Sequence, residues 1–253
     1  MKTIVLILIM GLIIGCEPQT PPPDKYAQHI NPNSNVLSDI PKVYTNLDSA
    51  LKNPEDVRHL NLSASKLKIF PKDIFKLKNL ENLELSFCEL DSLPESIDQL
   101  SNLKILDIRE NALKKLPNSI CNLKKLETLD NWGNEVDSLP QNIGDLLNLK
   151  KLYISFNNLH SLPKSLYNLK RLHYLQCDGN YLTTINQDVC KLEGIQKLSF
   201  LRNKISSIDN CIINLKNLKT LIIDENLLTQ QQLDNLKDVL PNCEVISSFQ
   251  YEK

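Results

Sequence analysis

Leucine and isoleucine recur along this chain with a period of 23 residues. Within each period the apolar residues follow the spacing L-x-x-L-x-L, which places them two apart, as in a short β-strand with one buried face. The periods run without insertion, and their first residues are Val57, Leu80, Leu103, Leu126, Leu149, Leu172, Ile195 and Leu218. The pattern predicts eight identical structural units, each with one strand.

Two further features recur in each period. Position 9 is Asn in six of the periods, with Ser65 and Cys88 in the first two. A buried Asn there can bond the backbone of the turn that leaves the strand. The closing half reads L-P-x-x-I-x-x-L, for example Leu116, Pro117, Ile120 and Leu123, and predicts a short helical turn with its apolar side inward.

These motifs resemble the leucine-rich repeat family, in the 23-residue class with a Leu-Pro-x-x-Ile closing half. The resemblance covers residues 57–228 and implies an α/β solenoid that forms a right-handed arc. The parallel β-sheet would lie on the concave face and the short helical or 3-10 turns on the convex face. It also implies protein binding without catalysis, but the family binds many unrelated ligands, so the partner is not identified.

Both ends of the repeat array need a cap. Residues 36–56 are predicted to form an N-terminal cap, with Thr45 and Asp48 as a capping box and Pro54 ending the helix. Residues 229–253 are predicted to form a C-terminal cap. This cap starts with a second capping box at Thr229 and Gln232, continues as a helix, and ends in an edge strand at Val245 and Ile246.

Residues 1–15 have the short apolar run of a signal peptide, and the sequence Ile13-Ile14-Gly15-Cys16 resembles the bacterial lipobox. The resemblance implies that Cys16 is lipidated; the alternative is an ordinary secretory signal with an incidental Cys. Residues 16–35 carry this Cys and a Pro-rich, disordered tether. We therefore expect a lipid-anchored protein of the bacterial cell envelope, and Glu17 favours the outer membrane or the cell surface.

The outward positions of the strands carry the candidate binding residues, because their identity does not serve the core. The candidates for partner binding are Phe87, Asp107, Asp130, Trp132, Tyr153, Phe156 and Tyr174. Exposed aromatic residues of this kind dominate many protein interfaces. Two alternatives stay open: Phe87 and Phe156 could only pack over the sheet edge, and the acidic row of Glu84, Asp107 and Asp130 could be a solvated face rather than a site for a basic partner.

Composition narrows the function classes. The net charge of −1 does not suggest nucleic-acid binding, for which a strongly basic face is expected. The four histidines are scattered, so neither a metal site nor a cofactor site is expected. Free buried thiols are the preferred interpretation of the cysteines, although Cys190 with Cys211, or Cys211 with Cys243, could pair in an oxidising envelope. Asn131 stands where neighbouring periods have apolar residues, and tolerated drift is the preferred explanation.

Together these features predict a lipid-anchored, monomeric leucine-rich repeat protein that binds a protein partner on its concave face and has no catalytic activity. The alternative is a structural or glycan-associated envelope lipoprotein.

Overall fold

The computed structural model describes residues 42–247. They lie in the second of two units, Pro41–Lys253. The predicted signal peptide, the lipidation of Cys16 and the tether lie outside the described residues. Among residues 42–247, no helix is both long enough and apolar enough to cross a membrane.

A parallel sheet of ten strands runs through this unit. One strand from each repeat pairs with the strand of the next repeat, so that Leu60, Leu83 and Leu106 stand directly beside one another. The sheet consists of β1 (Val43–Tyr44), β2 (His59–Asn61), β3 (Asn82–Glu84), β4 (Ile105–Asp107), β5 (Thr128–Asp130), β6 (Lys151–Tyr153), β7 (Tyr174–Gln176), β9 (Lys197–Ser199), β11 (Thr220–Ile222) and β12 (Glu244–Ile246). A second, two-stranded parallel sheet pairs β8 (Thr184–Ile185) with β10 (Ser207–Ile208).

Short 3-10 turns connect the end of each repeat to the next strand. They span Pro54–Asp56, Lys72–Lys76, Glu95–Gln99, Asn118–Asn122, Ile143–Asp145, Lys164–Asn168, Gln187–Lys191 and Asn210–Asn214. In four turns, including the one that follows Pro117, the proline stands just before the first helical residue in an extended conformation. The predicted solenoid, with a parallel sheet, 3-10 turns and helical caps, is confirmed.

The core is a continuous stack of aliphatic side chains between the sheet and the turns. The leucines at the centres of the strands, such as Leu83, Leu106 and Leu129, are fully buried, as are the turn residues Ile97 and Ile120. Since no repeat can bury these side chains alone, each repeat is stabilised by its two neighbours.

The Asn ladder satisfies the backbone of the turns that follow the strands. The Asn111 carboxamide accepts bonds from the amides of Cys88 and Leu90 in the preceding repeat, at 3.1 and 2.9 Å. It donates to the carbonyls of Leu85 and Ile108, at 2.9 Å each. One side chain therefore satisfies buried polar groups in two repeats, which no aliphatic residue could do.

The residue at position 8 of every repeat has a left-handed backbone conformation. The eight residues are Ala64, Phe87, Glu110, Gly133, Phe156, Gly179, Arg202 and Glu225, with φ between 50° and 67°. Only glycine adopts this conformation without a steric cost. The turn geometry requires this conformation in every repeat. Six of the eight repeats nevertheless have a residue other than glycine at this position.

The caps are helical, with one correction to the predicted N-terminal capping box. Helix α1 (Leu47–Ala50) begins after Asn46, whose side chain accepts a bond from the Ser49 amide at 3.0 Å. The assignment of Thr45 as N-cap was therefore wrong by one residue. Helix α2 (Gln230–Val239) has the predicted capping box between Thr229 and Gln232, and the predicted edge strand is β12. The predicted box and strand at this end are confirmed.

The second sheet forms where the repeat loses its proline. Asn186 and Asp209 occupy the proline position in the sixth and seventh repeats. The Asp209 amide donates to the Ile185 carbonyl at 2.8 Å, a bond that a proline could not make because it has no N–H. The side chains of Asn186 and Asp209 cap the following turns in place of proline.

A disulfide joins Cys190 to Cys211 in the two turns next to this sheet, with a Cα–Cα distance of 5.9 Å. The preferred interpretation, that all these thiols are free, was wrong for this pair. The two cysteines occupy different repeat positions, and the stacking of adjacent turns brings their backbones within disulfide range. Among the described residues, Cys88, Cys121, Cys177 and Cys243 remain free thiols.

Candidate binding surface on the sheet

The candidate residues lie in repeats two to six, at the outward positions of the strands and of the turns directly after them. We call this region the sheet surface. Asp107, Asp130 and Tyr153 are paired in register on β4, β5 and β6, so their side chains form one row across the strands. Adjacent strands are about 4.8 Å apart, and neighbours in this row can therefore interact directly.

The acidic row is compensated unevenly. The Glu84 carboxylate accepts a hydrogen bond from the side-chain Nδ2 of Asn61 and contacts His59 Nε2, both at 2.6 Å. Asp107, only 6% exposed, is held by Arg109, with Nη2 and Nε at 2.9 and 3.0 Å from Oδ2. Arg109, which is not among the candidates predicted from the sequence, neutralises the centre of the row.

Asp130 has weaker compensation than its neighbours in the row. The Arg109 Nη1 lies 3.9 Å from Asp130 Oδ2, and the Trp132 amide donates to Asp130 Oδ1 at 3.2 Å. Burial, together with the negative charge of Asp107, raises the pKa of Asp130 to about 6. Burial also raises the pKa of Asp107, against the lowering effect of Arg109. The row is therefore not a freely solvated face.

Trp132 and Phe156 form an aromatic pair at the C-terminal end of the acidic row. Their ring centroids are 5.1 Å apart at an angle of 66°, an edge-to-face arrangement. Trp132 is partly exposed and lies outside the leucine core, and Phe156 is 41% exposed. Phe156 therefore packs against Trp132, while much of its ring faces solvent.

Gly179 seats the Phe156 ring. A Cβ atom at Gly179 would lie 2.8 Å from Phe156 Cδ1, closer than non-bonded carbon atoms approach. Gly133 has the same relation to Glu110, whose Cδ would lie 3.1 Å from a Cβ there. Both arrangements have the same signal in the sequence. A glycine stands at position 8 of one repeat, and a larger residue stands at position 8 of the repeat before it.

The other two candidates, Tyr174 and Phe87, have fewer contacts with the rest of the surface. Tyr174 stands on β7 in register with Lys151, whose ammonium nitrogen lies 5.8 Å from the tyrosine ring centroid. Phe87 is 57% exposed and has no ring partner within residues 42–247. The structure therefore brings Asp107, Asp130, Trp132 and Phe156 together, with Tyr153 beside them, and leaves Phe87 apart on β3's side of the surface.

A second aromatic group occurs in the loops after β6 and β7 and was not anticipated. The rings of His160 and Tyr181 stack with centroids 5.2 Å apart, and Lys204 Nζ lies 4.8 Å from the Tyr181 ring centroid. These residues occupy loop positions after the strands, where the repeat pattern assigns no direction to a side chain.

Asn131 lies directly beneath the surface, fully buried at an apolar position. Its Nδ2 is 3.5 Å from Asn157 Oδ1, and its Oδ1 has no hydrogen-bond partner. No group of three or more His, Cys, Asp or Glu residues that could hold a metal ion occurs in the described part of the chain.

Comparison with known proteins assigns the repeats. A leucine-rich repeat region model matches residues 45–134 and 98–170. The search of curated proteins found no match.

Solved structures give the same result. A leucine-rich repeat protein of Leptospira interrogans is 34% identical, with a TM-score of 0.69, and the alignment covers 84% of this chain and 61% of that one. Internalin C2 of Listeria monocytogenes is 25% identical, with a TM-score of 0.59 and coverages of 70% and 74%. A plant peptide hormone receptor, RGFR1, in complex with RGF2, is 28% identical, with a TM-score of 0.62 and coverages of 82% and 38%.

This chain thus spans about three fifths of the length of the Leptospira protein. Leucine-rich repeat proteins are in general non-enzymatic scaffolds for protein interaction. With the periodic core, the Asn ladder and these matches in agreement, the chain belongs to the leucine-rich repeat family.

Proposed function

We propose that this protein binds another protein through the sheet surface centred on Trp132 and Phe156, as a monomer and without catalysing a reaction. The observation that carries the proposal is the edge-to-face aromatic pair, which is partly exposed and stands next to the acidic row. Rigid aromatic side chains give a large contact area at a low entropic cost and are enriched among residues that dominate binding energy.

The surface is also separate from what the fold requires. The core uses the inward positions of each strand, so the fold would be complete with small polar residues at Trp132, Tyr153 and Phe156. The structure of the plant receptor RGFR1, a complex with RGF2, adds a precedent for a bound partner in this fold.

We further propose that Cys16 is lipidated and anchors the protein in the bacterial cell envelope, at the outer membrane or the cell surface. The support is the lipobox-like sequence Ile13-Ile14-Gly15-Cys16. The Cys190–Cys211 disulfide also suits an oxidising compartment outside the cytoplasm. Incorporation of a labelled fatty acid into the full chain, and its loss in Cys16→Ser, would test this part.

The binding proposal is tested by cross-linking and affinity capture from envelope extracts, followed by mass spectrometry. The double variant Trp132→Ala, Tyr153→Ala should lose the captured protein. The control Leu147→Ala, which removes an apolar side chain that is 63% exposed outside the sheet surface, should keep it. Capture that survives the double variant, or binding only to isolated cell-wall glycan, would contradict the proposal.

A further inference from the structure

Carboxylates lie against the chain at Trp132 and at the residue that follows it. Asp130 is the last residue of β5, and Trp132 follows it by two residues, beyond the end of the strand. Glu110 extends to Gly133, the residue after Trp132, where its carboxylate oxygens lie 3.3 and 3.4 Å from the position of a Cβ atom. An aromatic side chain with two carboxylates close to it along the chain has the composition that accommodates a cationic side chain.

Within residues 42–247, the negative charge at this place is balanced only in part. Arg109 directs its short contacts to Asp107, at 2.9 and 3.0 Å, and reaches Asp130 only at 3.9 Å. On the next strand, Lys151 lies over the ring of Tyr174. Arg109 therefore supplies one positive charge for the carboxylates of Asp107 and Asp130, and the same charge lowers the pKa of Glu110 against the raising effect of burial.

We propose that the partner places a lysine or arginine side chain against the Trp132 ring, with its charged end at the carboxylates of Asp130 and Glu110. The alkyl stem of such a side chain covers the ring, while the charged end makes charge-assisted hydrogen bonds. An apolar side chain of the partner next to this residue contacts Phe156. This inference rests on the proposed function and specifies the chemistry of the partner.

Two other features agree with this arrangement. Burial raises the pKa of Glu110 as well as that of Asp130, so both acids carry a desolvation cost that an incoming cation relieves. Asp130 and Trp132 are also fixed relative to each other by the hydrogen bond from the Trp132 amide to Asp130 Oδ1. The acid and the ring therefore form one preorganised unit.

The test is selection from a phage-displayed library of random peptides on the full chain. Selection on the unaltered protein should enrich peptides with lysine or arginine next to an apolar residue, and Trp132→Ala should abolish the enrichment. Selection on Asp130→Asn should still enrich apolar residues without the basic ones. Glu135→Gln, an exposed acid five residues from Asp130, is the control and should behave as the unaltered protein.

A thermodynamic cycle gives the quantitative result. The fluorescence of Trp132, the chain's only tryptophan, reports binding of a selected peptide. Replacing the basic residue of the peptide by norleucine should weaken binding to the unaltered protein by about tenfold or more, and to Asp130→Asn by much less. Circular dichroism confirms that each variant is folded.

The outcomes separate the two proposals. If the enrichment depends on Trp132 but the enriched peptides have no excess of basic residues, the cation site is overturned and the binding surface stays intact. The same follows if norleucine weakens peptide binding equally to the unaltered protein and to Asp130→Asn. The absence of any peptide whose binding depends on Trp132 contradicts the proposed function, and the cation site fails with it.

Discussion

Asp130 is predicted to lower the stability of the folded protein at neutral pH. Burial and the neighbouring Asp107 raise the pKa of Asp130 from 3.8 to about 6. The folded state therefore holds the proton more tightly than the unfolded state. The contribution of this carboxyl to stability is fully present below pH 3.8 and is lost as the pH rises through 6.

The magnitude follows from the difference in pKa. A difference of about 2 corresponds to about 3 kcal/mol at pH 7.5, where the carboxylate is charged in both states. Asp130→Asn removes the charge and keeps an oxygen that can accept the bond from the Trp132 amide. We therefore expect the variant to gain about 3 kcal/mol in free energy of unfolding at pH 7.5, and about 1 kcal/mol at pH 4.5.

The assay is urea unfolding of the unaltered protein, Asp130→Asn and the control Glu135→Gln at both pH values. The control should stay within about 0.5 kcal/mol of the unaltered protein, because Glu135 is exposed. A loss of stability in Asp130→Asn at pH 7.5, or a gain that is equal at both pH values, would refute the assignment of a desolvation cost to this carboxylate.

Three further changes test the architecture. Asn180→Ala should lower the free energy of unfolding by about 2–5 kcal/mol in urea unfolding, because it leaves the Leu159 amide and the Ile154 carbonyl without their ladder bonds; an unchanged midpoint would argue against the ladder. Replacing Cys190 and Cys211 by serine should lower the free energy of unfolding by about 3 kcal/mol. A reductant should lower the free energy of unfolding of the unaltered protein by the same amount. Asn131→Ile should raise the melting temperature, since the unpartnered Oδ1 costs about 1–3 kcal/mol; a lower melting temperature would mean that the amide is needed.

The repeat fold was predictable because each unit repeats the same packing problem. A leucine at the centre of every strand can only be buried by its neighbours, so the period determines the sheet and its register. The ends of the repeat array were harder to predict from the sequence. Thr45 and Asn46 are both good N-cap residues, and the choice between them depends on where the chain enters the sheet. The two-residue strand β1 is too short to carry a pattern.

The second sheet and the disulfide depend on contacts between adjacent repeats. The missing proline at Asp209 was visible in the sequence, but the bond to Ile185 needs the two loops side by side. The arrangement of the candidate site was unpredictable for the same reason. How Arg109 divides its contacts between Asp107 and Asp130 depends on the side-chain conformation, which the spacing of residues does not determine.

The sheet surface bears two kinds of cost that the core does not require. Phe156 and Glu110 adopt a left-handed backbone conformation where glycine would fit without strain, and the neighbouring Gly179 and Gly133 provide the space for their side chains. Asp130 keeps a charge that desolvation opposes. Residues that lower stability without serving the core are retained when they serve binding. Asp130→Asn should therefore be more stable and bind a basic peptide more weakly, a combination that loss of structure cannot produce.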